Sequence, residues 1–206
     1  MYGDVRLFRI KSGLGVEDIS DEEVVELLTE ADKIVLEDIT RKVILEELTG
    51  DIDNSNKIFY TKHTPLADDD FDKSIGTSDV KVYAYYENPT TNERTLTELT
   101  VTSVDAKLGK ITLSSAPQVS TTDKVLCTYR YYVSGKLPDW YLVKMASVYY
   151  ACYLAYITEK GLLPVTFRLG SLAVSYGRGG VEKPHRLFLN LYLQTIEAIR
   201  GVAIGV

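Results

Sequence analysis

Leu137–Lys160 reads LPDWYLVKMASVYYACYLAYITEK, and where this stretch can be buried decides the fold. Pro138 suits the first turn of a helix, where the N–H it lacks has no partner to lose. Asp139 suits the positive end of the helix dipole. Lys160 and Gly161 make a C-terminus. Between these ends nearly every side chain is apolar or aromatic, and Lys144 is the one charge before Glu159. A helix that is apolar all round must be buried all round. A bilayer would demand roughly 20 predominantly apolar residues. Here the run is short and Lys144 interrupts it. Tyr149, Tyr150, Tyr153 and Tyr156 are spread through its centre and end, and no basic flank follows. We therefore read a central helix of an assembly, with tyrosines supplying contact area and a polar tip. Tyr149, Tyr153 and Tyr156, or the opposite face with Met145 and Cys152, are expected to meet a neighbouring subunit or the first helix.

The rest of the composition fits that reading. A chain of 206 residues holds one large domain, or a small one carrying an insert. Hydrophobic content of 45% and charged content of 25% are those of a globular protein. The net charge of −6 argues against a general DNA-binding surface, which needs clustered Lys and Arg to displace counterions. It leaves room for a surface that DNA passes without sticking. Cys127 and Cys152 fall in different elements, have no metal-ligand spacing and read as reduced core residues. The opening MYGDVRLFRIKSG has no apolar core of signal-peptide length, so export by that route is not expected. Fifteen tyrosines are the unusual count, and tyrosine suits partly wet interfaces.

Residues 1–19 read as a short extended lead. Ser20 and Glu23 then form a capping-box pattern. Behind them Val24, Leu27, Leu28, Ala31, Ile34, Val35 and Ile39 recur at helical spacing. The pattern resumes through Val43, Ile44, Leu45 and Leu48 to Gly50, giving a helix of about 43 Å, with room for a kink near Asp38–Arg41. From Asp51 the period changes. Residues 57–62, 80–86, 96–104, 110–113 and 124–133 are rich in Val, Tyr and Thr and read as strands, with Asn88-Pro89 and Leu108-Gly109 as turns. Helix, then strands, then helix predicts an α+β chain: a helical bundle with an inserted antiparallel β domain that projects from it. The expected division is 1–51 helical, 52–133 inserted β domain, and 134–206 helical with a C-terminal arm. Leu162–Tyr176 reads as extended, and Gly177-Arg178-Gly179-Gly180 as a hinge. A last helix begins near Pro184, with a stripe of Phe188, Leu191, Tyr192, Thr195, Ile196 and Ile199, and the tail Val202–Val206 is apolar.

Catalytic and metal signals are weak. His63 and His185 lie in no nucleophile or metal motif, so a surface or capping role is the plainer reading. Asp51-Ile-Asp53-Asn-Ser55 opens like a calcium loop, but Asn56 and Lys62 stand where that loop needs Gly and Glu. It is left as an Asx-rich turn. Asp68-Asp69-Asp70-Phe71-Asp72 could bind a cation, and a solvated loop is its plainer reading. Gly177-Arg-Gly-Gly lacks the spacing and the Lys-Ser/Thr of a phosphate loop. No catalytic residue, metal site or cofactor is assigned, and the chain is not read as an enzyme.

Several stretches carry a resemblance. Asp4-Val-Arg-Leu, Gly13 and Ile19-Ser-Asp-Glu-Glu-Val-Val-Glu-Leu-Leu-Thr-Glu-Ala31 resemble the N-terminus of head–tail connector (adaptor) proteins of tailed phages and tailed archaeal viruses. Residues 51–72 and 101–117 are similar to the β insert of some viral neck proteins. Phe167–Ser175 and the helix that follows are similar to connector C-termini. The resemblance implies a virion protein of the head–tail junction, assembled in the host cytoplasm. It implies a ring, commonly a dodecamer, below the portal protein and above a stopper or tail-completion protein, with DNA passing unbound and no membrane. It also implies that the C-terminal region reaches the portal. Phe188, Leu191, Tyr192, Ile196, Ile199, Arg200, Val202 and Ile204 are then the portal-binding or neighbour-binding residues, and Tyr149, Tyr153 and Tyr156 the subunit interface. A competing reading is an immunoglobulin-like binding or adhesion module of a virion or cell surface, built from the Tyr- and Thr-rich meander.

Overall fold

A computed structural model describes residues 2–70, 72, 74–158, 166–169, 172–175 and 184–201. It is α+β, and it divides into two compact units, one of Met1–Ile39 with Pro138–Val206 and one of Thr40–Leu137.

The first unit is helical. Helix α1, Val5–Ser12, stands where an extended lead was expected. Its signals are short but complete. The Asp4 carboxylate accepts the Leu7 N–H at 2.9 Å, and Gly13 takes the left-handed conformation with φ 74°. Arg9 and Lys11 sit in the last turn, where the dipole favours cations, and Phe8 is fully buried. Helix α2, Asp21–Ile39, has the predicted capping box. The Ser20 hydroxyl accepts the Glu23 N–H at 3.2 Å, and Glu23 accepts the Ser20 N–H at 2.8 Å. Helix α3, Trp140–Thr158, is the predicted central helix, and Asp139 rather than Pro138 sits at its cap, accepting the Tyr141 N–H at 2.9 Å. The expected terminus at Lys160 and Gly161 lies outside the described residues. Helix α4, Pro184–Arg200, packs along α3. The core joins Phe8, Val24, Leu28, Ala31, Val148, Ala151, Cys152, Ala155 and Phe188.

Helix α2 stops at Ile39 instead of running to Gly50. Thr40–Glu47 is strand β1, paired antiparallel with β7, Lys124–Tyr132. The apolar spacing of Val43, Ile44, Leu45 and Leu48 suits either period, and the ladder with β7 decides it. A bulge hides the alternation: Val43 faces Tyr129 while Glu46 faces Cys127, and Leu45 between them has φ 53°. The β unit thus begins at Thr40, twelve residues before the expected boundary of 52, and ends at Leu137 rather than 133.

Strands β2 Ile58–Tyr60, β3 Lys81–Glu87 and β6 Lys110–Leu113 fall close to their predicted places, and the single strand expected over 96–104 is two, β4 Arg94–Leu99 and β5 Val101–Asp105, broken at Thr100. They form two antiparallel sheets, ordered β1-β7-β3-β4 and β2-β6-β5. The sheets are joined at both edges. Strand β4 runs through Thr100 straight into β5, and Thr49 bridges Tyr60 with reciprocal 2.9 Å bonds at the end of β1. The result is a small barrel filled by Phe59, Leu66, Val82, Ile111, Leu113, Val125, Cys127 and Tyr129. This strand order is not that of an immunoglobulin sandwich, whose two sheets are separate and ordered otherwise. In the helical unit, β8 (Thr166–Leu169) and β9 (Leu172–Ser175) pair as an antiparallel hairpin inside the stretch read as extended. The glycine hinge 177–180 lies outside the described residues.

One turn of the barrel is closely constrained. Gly109 has φ 64°, and a Cβ there would stand 2.1 Å from Thr61 Oγ1 and 2.7 Å from Thr64 Cγ2. Gly109→Ala is expected to cost about 1–2 kcal/mol for the left-handed backbone alone, with the clash adding to it. Urea unfolding of the two proteins checks this, and equal midpoints would refute it.

Candidate functional site

Helix α3 answers its lack of a polar face mostly within its own chain. Val143, Ala146, Ser147, Val148, Ala151, Cys152 and Ala155 are buried. Tyr156 and Met145, both offered above as subunit contacts, are each only 6% exposed. The Tyr156 hydroxyl donates to the Ser12 carbonyl at 2.7 Å, and its ring stacks on Phe188 at 5.7 Å. Tyr156, Met145 and Cys152 are thus buried within this chain, Tyr156 and Cys152 in the core shared with α1 and α2, which is the alternative of contact with the chain's own helices. Tyr150 meets Tyr192 at 4.8 Å and Tyr153 at 5.5 Å. The most exposed residues of α3 are Tyr141 at 65%, Ile157 at 44% and Trp140 at 40%, while Leu142, Tyr149 and Tyr153, at helical spacing with Ile157, are half-buried, the two tyrosines packing against the core. None of these residues carries a charge. Burial pushes the Tyr149 phenol above its ordinary range, with Tyr141 beside it adding to the effect.

The apolar stripe of α4 is used inside the chain. Phe188, Tyr192, Ile196 and Ile199 are buried, and Leu191 packs partly buried against the same core. An amphipathic helix buries its stripe on the nearest complementary face, and α3 supplies that face. In this chain these five residues serve as bundle contacts. Arg200 is also engaged: its Nε donates to the Asp38 carbonyl at 2.8 Å, and its guanidinium lies 3.6 Å from the Asp38 carboxylate. The Tyr192 hydroxyl donates to the Asp38 carboxylate, and burial, then Asp38, pushes its pKa up. Val202 and Ile204 lie outside the described residues. The outward side of α4 keeps Leu193, 47% exposed.

Helix α2 carries eight acidic residues and one lysine. Glu22, Glu23, Glu26, Glu30 and Glu37 face outward, while Asp32 is buried. Asp32 ties three segments together. It accepts the Tyr2 N–H at 2.6 Å, the Gly3 N–H at 3.2 Å and the Ser147 hydroxyl. Gly3 must be small there, because a Cβ would stand 2.4 Å from Leu28 Cδ2. Nothing in the sequence marked Asp32 out among its acidic neighbours.

In the barrel, ligand oxygens of Asp68, Asp70 and Asp79 lie within 4.8 Å of one another, with Asp68 and Asp79 buried. Among the described residues this is the group that could hold a metal ion. Both oxygens of Asp79 are already engaged, by the Asp69 N–H at 2.6 Å and the Gly76 N–H at 2.7 Å. Asp69 itself pairs with Lys42 at 3.1 Å and with Arg130. Clustered carboxylates alone do not separate a cation site from an acidic loop. Burial pushes the Asp79 carboxyl up, and Asp70 and Asp68 add to this against the two N–H bonds. A raised carboxyl pKa favours the folded state when protonated. Its contribution is full at low pH and declines as pH rises from 3.8 through the folded value. Asp79→Asn is expected to flatten that part of the stability–pH curve, and an unchanged curve would refute this.

The remaining titratable groups are structural in placement. His63 stacks on Tyr131 at 4.5 Å, and its Nε2 stands 3.6 Å from Glu46. Tyr129 donates to Glu46, and burial raises its pKa. Burial pushes the Cys127 thiol up to about 12 and Cys152 well above its usual range, so neither is a thiolate at neutral pH. The segment rejected as a calcium loop is an Asx turn, with Asp53 accepting the Ser55 and Asn56 N–H groups at 2.9 and 2.7 Å. Among the described residues no helix is long and apolar enough to cross a membrane. No known protein-family model matches the chain, and no curated protein matches it.

Proposed function

We propose that the chain is a structural subunit of a viral neck, a head–tail connector that forms a ring between the portal protein and a stopper or tail-completion protein. The observation that carries this is an uncharged, partly exposed strip of α3. Leu142, Tyr149, Tyr153 and Ile157 lie side by side on the central helix with no charge among them. Such a face gains by being covered, and tyrosine is suited to a partly wet contact. Two further features support the reading. The chain is acidic, with a net charge of −6, and like charge along a channel keeps DNA from adhering. The barrel is a separate compact unit set between two helical segments, as in the neck proteins with a β insert that the chain resembles. Tyr156 and the α4 stripe no longer serve as contacts in this reading, so attachment to a portal falls to other surfaces.

The test is the mass and symmetry of the purified chain, by native mass measurement and negative-stain imaging. A closed ring is the expected result. A strict monomer up to the highest soluble concentration, both alone and with portal rings, would overturn the reading.

A further inference from the structure

The barrel carries a second surface feature. Thr64, Pro65, Lys107, Gly135, Lys136 and Leu137 line a concavity of about 430 Å³. Its walls are fixed by backbone bonds. Leu66 donates to the Ala106 carbonyl at 2.8 Å, Tyr132 to the Pro65 carbonyl at 3.0 Å, and Gly135 to the Tyr132 carbonyl at 3.1 Å. Pro65 is buried, and Leu137 is 48% exposed, which gives an apolar lining. Lys107 and Lys136 are exposed at the rim, and neither has an ion-pair partner among the described residues. In a chain of net charge −6, two unpaired lysines over an apolar lining call for an acidic segment with an apolar centre.

The chain itself carries such a segment on the exposed face of α2, where two acids flank an apolar residue at helical spacing. Glu22 and Glu26 are one helical turn apart on α2, so their Cβ atoms lie about 5–6 Å apart on one face. Both are exposed, and among the described residues neither has an ion-pair partner. Val25, 40% exposed, stands between them. Other acids are less available: Glu23 is turned back on Ser20, Glu30 pairs with Lys33, and Asp69 pairs with Lys42 and Arg130. We propose that the lysine-rimmed pocket of one subunit takes the Glu22–Glu26 turn of a second copy, with Val25 entering over Pro65 and Leu137. The contact joins two different surfaces, so repetition closes a ring or continues as a filament. This inference rests on the ring reading and adds to it the surfaces that meet.

The experiment uses the full chain in sedimentation velocity, with circular dichroism to show that every variant is folded. Lys107→Glu with Lys136→Glu, and separately Glu22→Lys with Glu26→Lys, are each expected to weaken self-association on the order of tenfold or more. An equimolar mixture of the two variants restores complementary pairs and is expected to assemble in alternation. Assembly of either variant as well as wild type, or a mixture no better than its components, would overturn the pocket contact while leaving the ring intact. A wild-type chain that never associates would overturn the ring reading and, with it, the second copy as occupant.

Discussion

A chain ending at Gly180 is expected to lose the cooperative unfolding of its helical unit while keeping the strand signal of its barrel. The reason is where α4 puts its apolar stripe. Phe188 is fully buried, Tyr192 and Ile196 are 2% and 3% exposed, and Ile199 is 8% exposed. The Phe188 ring stacks on Tyr156 of α3, and Tyr192 meets Tyr150 of α3 and donates to the carboxylate of Asp38 at the end of α2. Phe188→Ala alone removes a buried ring and is expected to cost about 3–5 kcal/mol. A domain is stable by only about 5–15 kcal/mol, so losing the whole stripe exceeds what the unit holds. Removing α4 also strips the cover from α3, whose apolar surface would then favour aggregation. Thermal melts followed by far-UV circular dichroism check this. An unchanged helical transition in the truncated chain would mean that α4 is a dispensable arm after all.

Asp32→Ala is the single substitution with the next largest expected effect. The carboxylate is 2% exposed and receives two backbone N–H groups and the Ser147 hydroxyl. Taking it away leaves three buried donors facing a void, each costing about 1–3 kcal/mol when unpaired. A loss of about 3 kcal/mol or more is expected in urea unfolding. Asp32→Asn keeps the size and one acceptor oxygen, and a smaller loss is expected. The N-terminal residues should report the change directly. Amide hydrogen exchange at Tyr2 and Gly3 is expected to speed up in Asp32→Ala, because their acceptor is gone. Unchanged protection there would show that the carboxylate does not hold the lead in place.

Local signals were enough for much of this protein. Ser20 with Glu23 is a capping box whose chemistry depends only on nearby backbone, and it begins a helix where it stands, whereas the cap signals of Asp4 and Gly13 bound a helix in a stretch read as extended. Strands β2, β3, β6 and β7 were legible because Val, Tyr and Thr recur between turn residues, while residues 96–104, read as one strand, are the end of β4 and most of β5 in two different sheets. The α+β class follows from these signals. Burial of α3 on nearly all sides followed from its lack of a polar face. Three matters were decided by tertiary contact. The apolar run after Ile39 suits helix or strand, and only the ladder with β7, with its bulge at Leu45, makes it β1. An amphipathic stripe states that it must be covered but not by what, and Phe188, Tyr192, Ile196 and Ile199 are buried within this chain, with rings of α3 against the first two. Finally, Lys107 and Lys136 lie far apart in sequence from Pro65. Side chains so separated share a pocket only because the barrel brings the β5–β6 turn, the loop after β2 and the end of β7 to one place.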